Sequence, residues 1–322
     1  MHRRTIRSVA GACLLLASAA PFAQTWPART VRMVAPFTAG GPVDLNARIV
    51  AQKLTESWNQ QVVVDNRVGA SGMIGAEGVA KAAPDGYTLL VNSSIHVIVP
   101  SLFPKMTYDP IRDFVAVSML STAPLVLLAN PSLPVRTVKE LIALAKARPG
   151  ELTFGSAGSG SSTHLTGELL KSVTGTQMVH IPYKGSSQVL VDVISGQIPM
   201  MFNSLAGSPE FVKSGRVRAI AVTSAKRTAL FPDVPTFAES GYKDLVTGSW
   251  YGVWAPAKTP EAIITRIAGD LGRIIALADV RTRMIEVGSE PAGSGPAEFD
   301  AFQKAEAARW AKVVRDSGAK AQ

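Results

Sequence analysis

Residues 31–58 of this chain, VRMVAPFTAGGPVDLNARIVAQKLTESW, decide its fold. The stretch opens with a β-branched and apolar run, Val31 to Phe37, which is typical of a buried strand. Small residues follow, and Pro42 suits the first turn of a helix. Apolar side chains then recur at helical spacing: Leu45, Ile49, Val50, Leu54 and Trp58. The stretch therefore predicts a strand, a small-residue turn and an amphipathic helix.

The same order recurs along the chain and predicts an α/β fold. Further strands are predicted at residues 61–64, 87–91, 125–129, 152–154, 179–182, 199–202, 217–223 and 250–254. Helices are predicted after the capping box of Thr137 and Glu140, at 187–194, after a Thr259 cap with Pro260 in the first turn, and at 296–315 before Gly318. The spacing of Gly69, Gly72, Gly75 and Gly78 predicts one closely packed face at a helix start.

The length of 322 residues, 47% of them hydrophobic, suggests about two domains. A proline-rich connection around residues 124–134 predicts a crossing between them, and the last part of the chain is expected to return to the first domain. We expect domain 1 to comprise residues 24–123 and 248–322 and domain 2 to comprise residues 124–247, with a cleft between them.

The N-terminus has the charge order of a secretory signal. Basic residues precede the apolar run Val9 to Ala20, which predicts a signal peptide over residues 1–23, cut after Ala23 or alternatively after Ala20. Residues 24–322 then keep 30 basic and 24 acidic side chains, a formal charge of +6, and lose the one cysteine, Cys13. The chain is therefore expected to be exported, and no later segment is apolar enough to span a bilayer.

Signatures of several enzyme classes are missing from the sequence. It contains no Gly-x-Ser-x-Gly elbow, no phosphate-binding P-loop and no Gly-x-Gly-x-x-Gly after the first strand. His96, His164 and His180 lack metal-ligand spacing and are interpreted as hydrogen-bonded structural residues. The basic residues are scattered singly, which argues against a nucleic-acid partner. No cofactor or metal site is expected.

Small-residue loops follow three predicted strands. They are Thr38 to Gly41, Gly69 to Gly72 and Ser156 to Thr163. Such loops offer backbone N–H groups and helix N-termini, and they collect at the carboxyl edge of an open sheet. They are compatible with ordinary turns, but three together favour a carboxylate-binding cleft.

Longer motifs make the sequence similar to one family. They are residues 37–44 (FTAGGPVD) with Arg48, 64–75 (VDNRVGASGMIG), 84–90 (PDGYTLL), 158–160 (GSG), 180–185 (HIPYKG), 232–236 (PDVPT), 239–241 (ESG), 250–253 (WYGV) and Ala255-Pro256. This succession resembles the Bug family of periplasmic receptors of tripartite tricarboxylate transporters, and it spans essentially the whole chain after the signal.

The resemblance implies a type II-like periplasmic-binding-protein fold of two domains, each a mixed sheet flanked by helices, with a hinge of crossing strands. It implies a monomeric receptor without catalysis that closes on a small mono- or dicarboxylate, with amino acids and aromatic acids among the candidates, and delivers it to a large and a small membrane subunit. The implied ligand-binding residues are Phe37, Thr38, Ala39, Gly41, Asp44, Ala70, Ser71, Ser93, Ser94, Ser156, Ser161, Ser162, Thr163, Tyr183 and Asn203.

Several of these assignments have alternatives. Asp44 either favours the helix start after Pro42 or accepts a hydrogen bond from a ligand ammonium, and Tyr183 either contacts ligand or packs under the cleft. Asp65, Asn66 and Arg67 are expected to fix their loop. Thr38 stands where the family commonly has proline, which adds a hydroxyl near the expected carboxylate, and no arginine clamp is predicted.

A rival reading is an exported α/β hydrolase that uses Ser162 and His164. These residues lie two positions apart at a helix start, so that their side chains should diverge, and no orienting acid is evident.

Overall fold

Strands and helices alternate over the residues that the computed structural model describes, 26–103, 105–183, 186–205 and 208–317. The strands are β1 (Val31–Ala35), β2 (Val62–Asn66), β3 (Thr88–Ser93), β4 (Phe114–Ala129), β5 (Thr153–Ser156), β6 (Val179–Pro182), β7 (Met200–Ser204), β8 (Arg218–Val222), β9 (Gly248–Pro256) and β10 (Glu290–Pro291). The helices are α1 (Pro42–Trp58), α2 (Met73–Ala80), α3 (Ile95–Leu102), α4 (Val138–Ala147), α5 (Ser162–Thr174), α6 (Ser186–Ser195), α7 (Pro209–Lys213), α8 (Glu261–Ala276), α9 (Ala278–Glu286) and α10 (Pro296–Ser317). Within those ranges, no helix has the length and apolar character needed to cross a membrane.

The strands form one mixed sheet in the order β2-β1-β3-β9-β4-β7-β5-β6, with β8 and β10 also paired to β4. β1 is parallel to β2 and β3, and β5 is parallel to β6 and β7. β9 is antiparallel to β3 and β4, and β4 is antiparallel to β7 and β8. The sheet thus has two parallel parts joined through antiparallel strands.

β4 connects the two parts of the sheet. Residues 114–124 of this strand pair with β9, whereas residues 125–129 pair with β7 and β8. The sequence predicts a separate strand at 125–129, but the strand starts at Phe114 and passes through Pro124. Proline lacks an N–H group and is tolerated here because the partner changes at this position.

Helices cover both faces of each part. Successive strand residues point to opposite faces: Met33 packs into a core with α1, α8 and α9, and Val34 into a core with α2, α3 and α10. In the other part, Leu127 packs with α4 and α5, whereas Leu128 packs with α6. The prediction of mixed sheets flanked by helices is confirmed.

The helix-start predictions have different outcomes. Thr137 and Glu140 form the predicted capping box at the start of α4. The predicted Thr259 cap is wrong, because its hydroxyl donates to the Pro256 carbonyl at 2.7 Å and α8 begins after Pro260. A local turn therefore takes the hydroxyl that a cap would use.

The four spaced glycines do not share one helix face. Gly69 precedes a 3-10 turn, Ala70–Gly72, and Gly72 ends it, with φ of +141° and +86°, so that only Gly75 and Gly78 lie in α2. Close packing is real at Gly75, where a Cβ would lie 2.8 Å from the Pro36 Cβ. The predicted signal peptide with Cys13, the motif residues Lys184 and Gly185, and Gly318 lie outside the described residues.

Candidate functional site

Three loops of the first part of the sheet follow neighbouring strands. The predicted residues Phe37 to Gly41 follow β1, Ala70 and Ser71 follow β2, and Ser93 and Ser94 lie at the end of β3. These strands are parallel and adjacent, with β1 between the other two. The loops therefore meet at one carboxyl edge, where open α/β sheets bind ligands.

Asp44 organises the loop after β1. Its side chain is 2% exposed, and its Oδ2 accepts hydrogen bonds from the Gly40 N–H and the Arg48 Nε, both at 2.9 Å. Its Oδ1 accepts from Asn66 Nδ2 at 2.9 Å, and the same amide nitrogen donates to the Phe37 carbonyl at 3.0 Å. Burial raises the pKa of Asp44, but these hydrogen bonds outweigh burial and leave the pKa below its usual value.

These contacts favour the structural alternative for Asp44, since both carboxylate oxygens already have donors within the protein. Thr38 and Ala39 are exposed at the tip of the loop, and the Gly41 N–H donates to the Thr38 carbonyl at 3.2 Å. The Thr38 hydroxyl and the tip of the loop thus face solvent. As expected, Asn66 fixes the loop, and Arg67 pairs with Asp65 at 2.8 Å.

The loop after β2 has an unusual backbone. Ala70 and Ser71 have φ of +46° and +54°, a left-handed conformation that costs non-glycine residues energy. Gly72 lies against the Phe37 ring, to which a Cβ at this position would approach within 3.2 Å. The loops after β1 and β2 are therefore in direct contact.

The two serines after β3 differ in their surroundings. Ser94 is buried, its N–H donates to the Trp250 carbonyl at 2.9 Å, and its hydroxyl lies 3.4 Å from that of Ser249. Ser93 is half-buried, and its N–H donates to Asn92 Oδ1 at 2.8 Å. The hydroxyl of Ser93 is therefore more accessible to a ligand than that of Ser94.

The second part of the sheet has the same arrangement. Ser156 ends β5, Tyr183 follows β6, and Asn203 lies near the end of β7. β5 is parallel to both neighbours, so these residues also share one carboxyl edge. The sequence places Asn203 after its strand, but β7 continues to Ser204.

Most hydroxyls of the loop after β5 have partners within that loop. Thr163 Oγ1 accepts from the Ala157 N–H at 3.0 Å and lies 2.8 Å from Ser161 Oγ. Ser161 Oγ donates to the Gly158 carbonyl at 2.6 Å and accepts from the His164 N–H. Ser156 Oγ accepts from the Gly158 N–H at 3.1 Å. The hydroxyls of Ser156, Ser161 and Thr163 therefore shape the loop.

The remaining polar groups of this loop include two serine hydroxyls and the backbone N–H groups at the start of α5. Ser162 and Thr163 occupy the first turn of α5, where backbone N–H groups lack helical acceptors. In the described part of the chain, the hydroxyls of Ser159 and Ser162 have no hydrogen-bond partner, and both residues are half-buried. Ser159 is a candidate contact that the sequence analysis missed, although it lies inside a recognised motif.

Tyr183 and Asn203 also have partners within their own part. The Tyr183 hydroxyl donates to Asp192 Oδ2 at 2.5 Å, and burial together with this bond raises the pKa of Tyr183 to about 12. Asn203 is buried, and its amide donates to Ser208 Oγ at 3.1 Å. The Tyr183 hydroxyl is thus engaged by Asp192, as the packing alternative requires.

The two parts of the sheet meet beside the loop after β5. Gly160 has φ of +81°, and a Cβ on it would lie 2.3 Å from Leu102 Cδ1 at the end of α3. Ile98 and Leu102 of α3 form a buried cluster with Leu165 of α5 and Trp310 of α10. Since α3 begins beside Ser94, this cluster links the strand-end loops of both parts.

Three histidines are hydrogen-bonded, as expected. His96 Nε2 lies 3.2 Å from the Pro110 carbonyl, His164 Nδ1 accepts from the Gly160 N–H at 3.0 Å, and His180 Nε2 lies 2.6 Å from Ser156 Oγ. Nδ1 of His164 therefore accepts a hydrogen bond from the backbone, and within the described residues His164 makes no hydrogen bond to Ser162. No group of three potential metal ligands occurs among the described residues.

Comparisons with known proteins found a family and several relatives that are similar to this chain. The profile described as "Tripartite tricarboxylate transporter family receptor" matches residues 46–319. Protein BugT of Bordetella pertussis is 40% identical over 300 residues, covering 92% of each chain. The solved structure of R. palustris Rpa4515 with adipate is 38% identical, with a TM-score of 0.85 over 92% of this chain and 100% of its own. MatC from Rhodopseudomonas palustris with bound malate is 32% identical, with a TM-score of 0.80 over 90% of this chain and 100% of its own.

Proposed function

This chain belongs to the tripartite tricarboxylate transporter receptor family, and from that membership we propose that it binds a small carboxylate by closure of two domains. The predicted resemblance to Bug receptors and the predicted periplasmic-binding-protein fold are confirmed by the relatives. The finer parts of the proposal are its periplasmic location, delivery of the solute to a large and a small membrane subunit, and action as a monomeric receptor without catalysis.

The observation that carries the proposal is the pair of opposed loop sets at the carboxyl edges of the two parts of the sheet. The loops after β1, β2 and β5 are built mainly from small residues that offer main-chain N–H groups and hydroxyls, which suits a carboxylate better than a bulky or cationic solute. Adipate and malate accompany two relatives with more than 30% identity. We therefore favour a dicarboxylate as the ligand.

The proposed contacts divide between the loops. From one side, the ligand would contact the backbone of Phe37, Thr38, Ala39 and Gly41, together with Ala70, Ser71 and Ser93. From the other side, it would contact Ser162 and the first N–H groups of α5. Ser94, Ser156, Ser161, Thr163, Tyr183 and Asn203 remain in the proposed set, but their hydrogen bonds within the protein favour a supporting role. Asp44 would act mainly by shaping its loop.

The proposed domains are residues 24–123 with 248–322, and residues 124–247. Two features support this division: β4 changes partners between Pro124 and Leu125, and β9 begins at Gly248, where the chain returns to the first part. Closure about these crossings would bring the two loop sets onto one ligand, and the ligand would favour the closed state by its greater affinity for it.

The test is thermal unfolding of the exported, purified chain against monocarboxylates, dicarboxylates including adipate and malate, tricarboxylates, amino acids and aromatic acids. A ligand at about a hundred times its Kd adds roughly 2.7 kcal/mol, which raises Tm by several degrees for a chain of this size. The diamides of adipate and malate are the matched controls, since they keep shape but lose charge.

A selective shift with an acid and none with its diamide would support the proposal. Failure of every carboxylate, with no ligand carried through purification, would contradict it. N-terminal sequencing of the same sample tests cleavage before Gln24.

A further inference from the structure

Two histidine rings are stacked directly behind the loop that follows β5. The ring centroids of His164 on α5 and His180 on β6 are 3.8 Å apart, and the planes are inclined by 20°. His164 is 4% exposed. Each ring has one nitrogen bonded to the loop, and neither ring has a part in the ligand contacts proposed above.

The hydrogen bond from Gly160 determines the tautomer of His164. A backbone N–H can only donate, so Nδ1, which lies 3.0 Å from the Gly160 nitrogen, must carry a lone pair. The ring proton is then on Nε2, which lies 3.9 Å from Glu168 Oε1. Glu168 is buried and paired with Lys171 at 2.8 Å, so its carboxylate favours the proton on that side.

The hydrogen bonds of Ser156 determine the tautomer of His180. Ser156 Oγ accepts from the Gly158 N–H, and its single proton has two candidate acceptors, His180 Nε2 at 2.6 Å and the Gly158 carbonyl at 3.2 Å. Both lone pairs of that carbonyl are already used, by the Ser161 hydroxyl at 2.6 Å and by the Ser161 N–H at 3.1 Å. The proton therefore goes to His180, whose Nε2 is the acceptor.

We propose that His164 and His180 are positioning residues for the ligand-binding loop, each by presenting one unprotonated ring nitrogen: Nδ1 of His164 to Gly160 and Nε2 of His180 to Ser156. The proposal rests on the proposed function in that it assigns ligand binding to this loop. In this arrangement the pair holds Ser156, Gly158 and Gly160, which leaves Ser159, Ser162 and the start of α5 available to ligand.

The surroundings keep both rings neutral. Burial lowers the pKa of His164 to about 4, with a smaller contribution from Lys171. Burial, then His164 and Lys171, lower the pKa of His180 to about 3. Protonation of Nδ1 of His164 would set its N–H against that of Gly160, so the loop conformation and the neutral pair require each other.

The test replaces each histidine by asparagine or by glutamine, which carry the same amide acceptor at different positions. Asparagine places an amide oxygen where histidine has Nδ1, and glutamine places one close to Nε2. We expect His164→Asn and His180→Gln to keep slow amide hydrogen exchange at Gly160 and Gly158, respectively. His164→Gln and His180→Asn should lose it. Each pair loses the same ring, so loss of stacking is matched.

Affinity for adipate or malate, whichever the unsubstituted chain binds, should also be kept in His164→Asn and His180→Gln. The loss expected in His164→Gln and His180→Asn is about tenfold, which corresponds to ~1.4 kcal/mol. If asparagine and glutamine behave alike at both positions, the histidines only fill space, and the proposal is wrong.

A measurement on the unsubstituted chain needs neither variant nor ligand. Nitrogen-15 NMR of the histidine rings should show Nδ1 of His164 and Nε2 of His180 unprotonated, with no titration between pH 5 and 8. The opposite tautomer in either ring would overturn the proposal. If the rings and the exchange pattern agree but neither dicarboxylate binds, the positioning role stands and the proposed function fails.

Discussion

At the residue scale, Asp44 links a charge to the shape of a loop. Three donors surround its carboxylate: the Gly40 N–H, Arg48 and Asn66. Asp44→Asn removes the charge and leaves these donors poorly paired, which should lower the free energy of unfolding at pH 7 by about 1 to 3 kcal/mol. Urea unfolding measures the loss.

The effect of pH on this difference has a definite sign. The pKa of Asp44 is lowered in the folded state, so its stabilisation is full above the unfolded value, near 3.8, and is lost as pH falls through the folded value. The two proteins should therefore converge in stability in acid. Asp85→Asn is the control, since Asp85 makes an exposed ion pair with Arg29 and should cost under about 0.5 kcal/mol. A constant difference down to pH 3 would contradict the assignment.

The sequence could identify Asp44 and the serine-rich loop as polar groups at strand ends, because strand and helix-start signals are local. It could not show which hydroxyls are already engaged. The partners of Ser156 and Asp44 include His180 and Asn66, which lie 24 and 22 positions away and meet them only through the pairing of β5 with β6 and of β1 with β2. Long-range strand pairing thus reduces the number of side chains in the candidate site that are free to contact a ligand.

At the element scale, one hydroxyl joins the two chain crossings. Thr223, which follows β8 and is 1% exposed, accepts from the Leu125 N–H at 2.8 Å and donates to the Thr247 carbonyl at 2.5 Å. Leu125 lies where β4 changes partners, and Thr247 immediately precedes β9. Thr223 therefore ties both crossings together at the proposed hinge.

Thr223→Val keeps the shape of the side chain and leaves two buried backbone groups without partners. We expect a loss of about 2 to 3 kcal/mol in urea unfolding and faster amide exchange at Leu125. Thr166→Val is a matched control, because the buried Thr166 hydroxyl has no partner within the described structure, so valine there should be neutral or stabilising. Equal costs at the two positions would show that Thr223 has no special role.

Elements differ in how far the sequence predicted them. The β-α alternation and the capping box at Thr137 depend on local patterns and are confirmed. The continuity of β4 through Pro124 depends on β9, more than a hundred residues later in the chain, and the failure of Thr259 as a cap depends on a competing turn. Local sequence patterns predict which elements form, and tertiary contacts determine where these elements begin and end.

At the scale of the whole molecule, the chain has two parts of one sheet, each with three parallel strands whose carboxyl ends share an edge. Small polar loops follow β1, β2 and β5. The buried cluster of α3, α5 and α10 joins these parts beside the loop after β5. A carboxylate held from both sides would connect them, which is the physical basis for closure on ligand.

The most direct test of this account is a crystal structure with the carboxylate that gives the largest Tm shift. We predict that the ligand lies between the two parts, with its carboxylate oxygens accepting hydrogen bonds from the loop after β1 and from the first turn of α5. A ligand held by one part alone, or bound away from both carboxyl edges, would contradict the account.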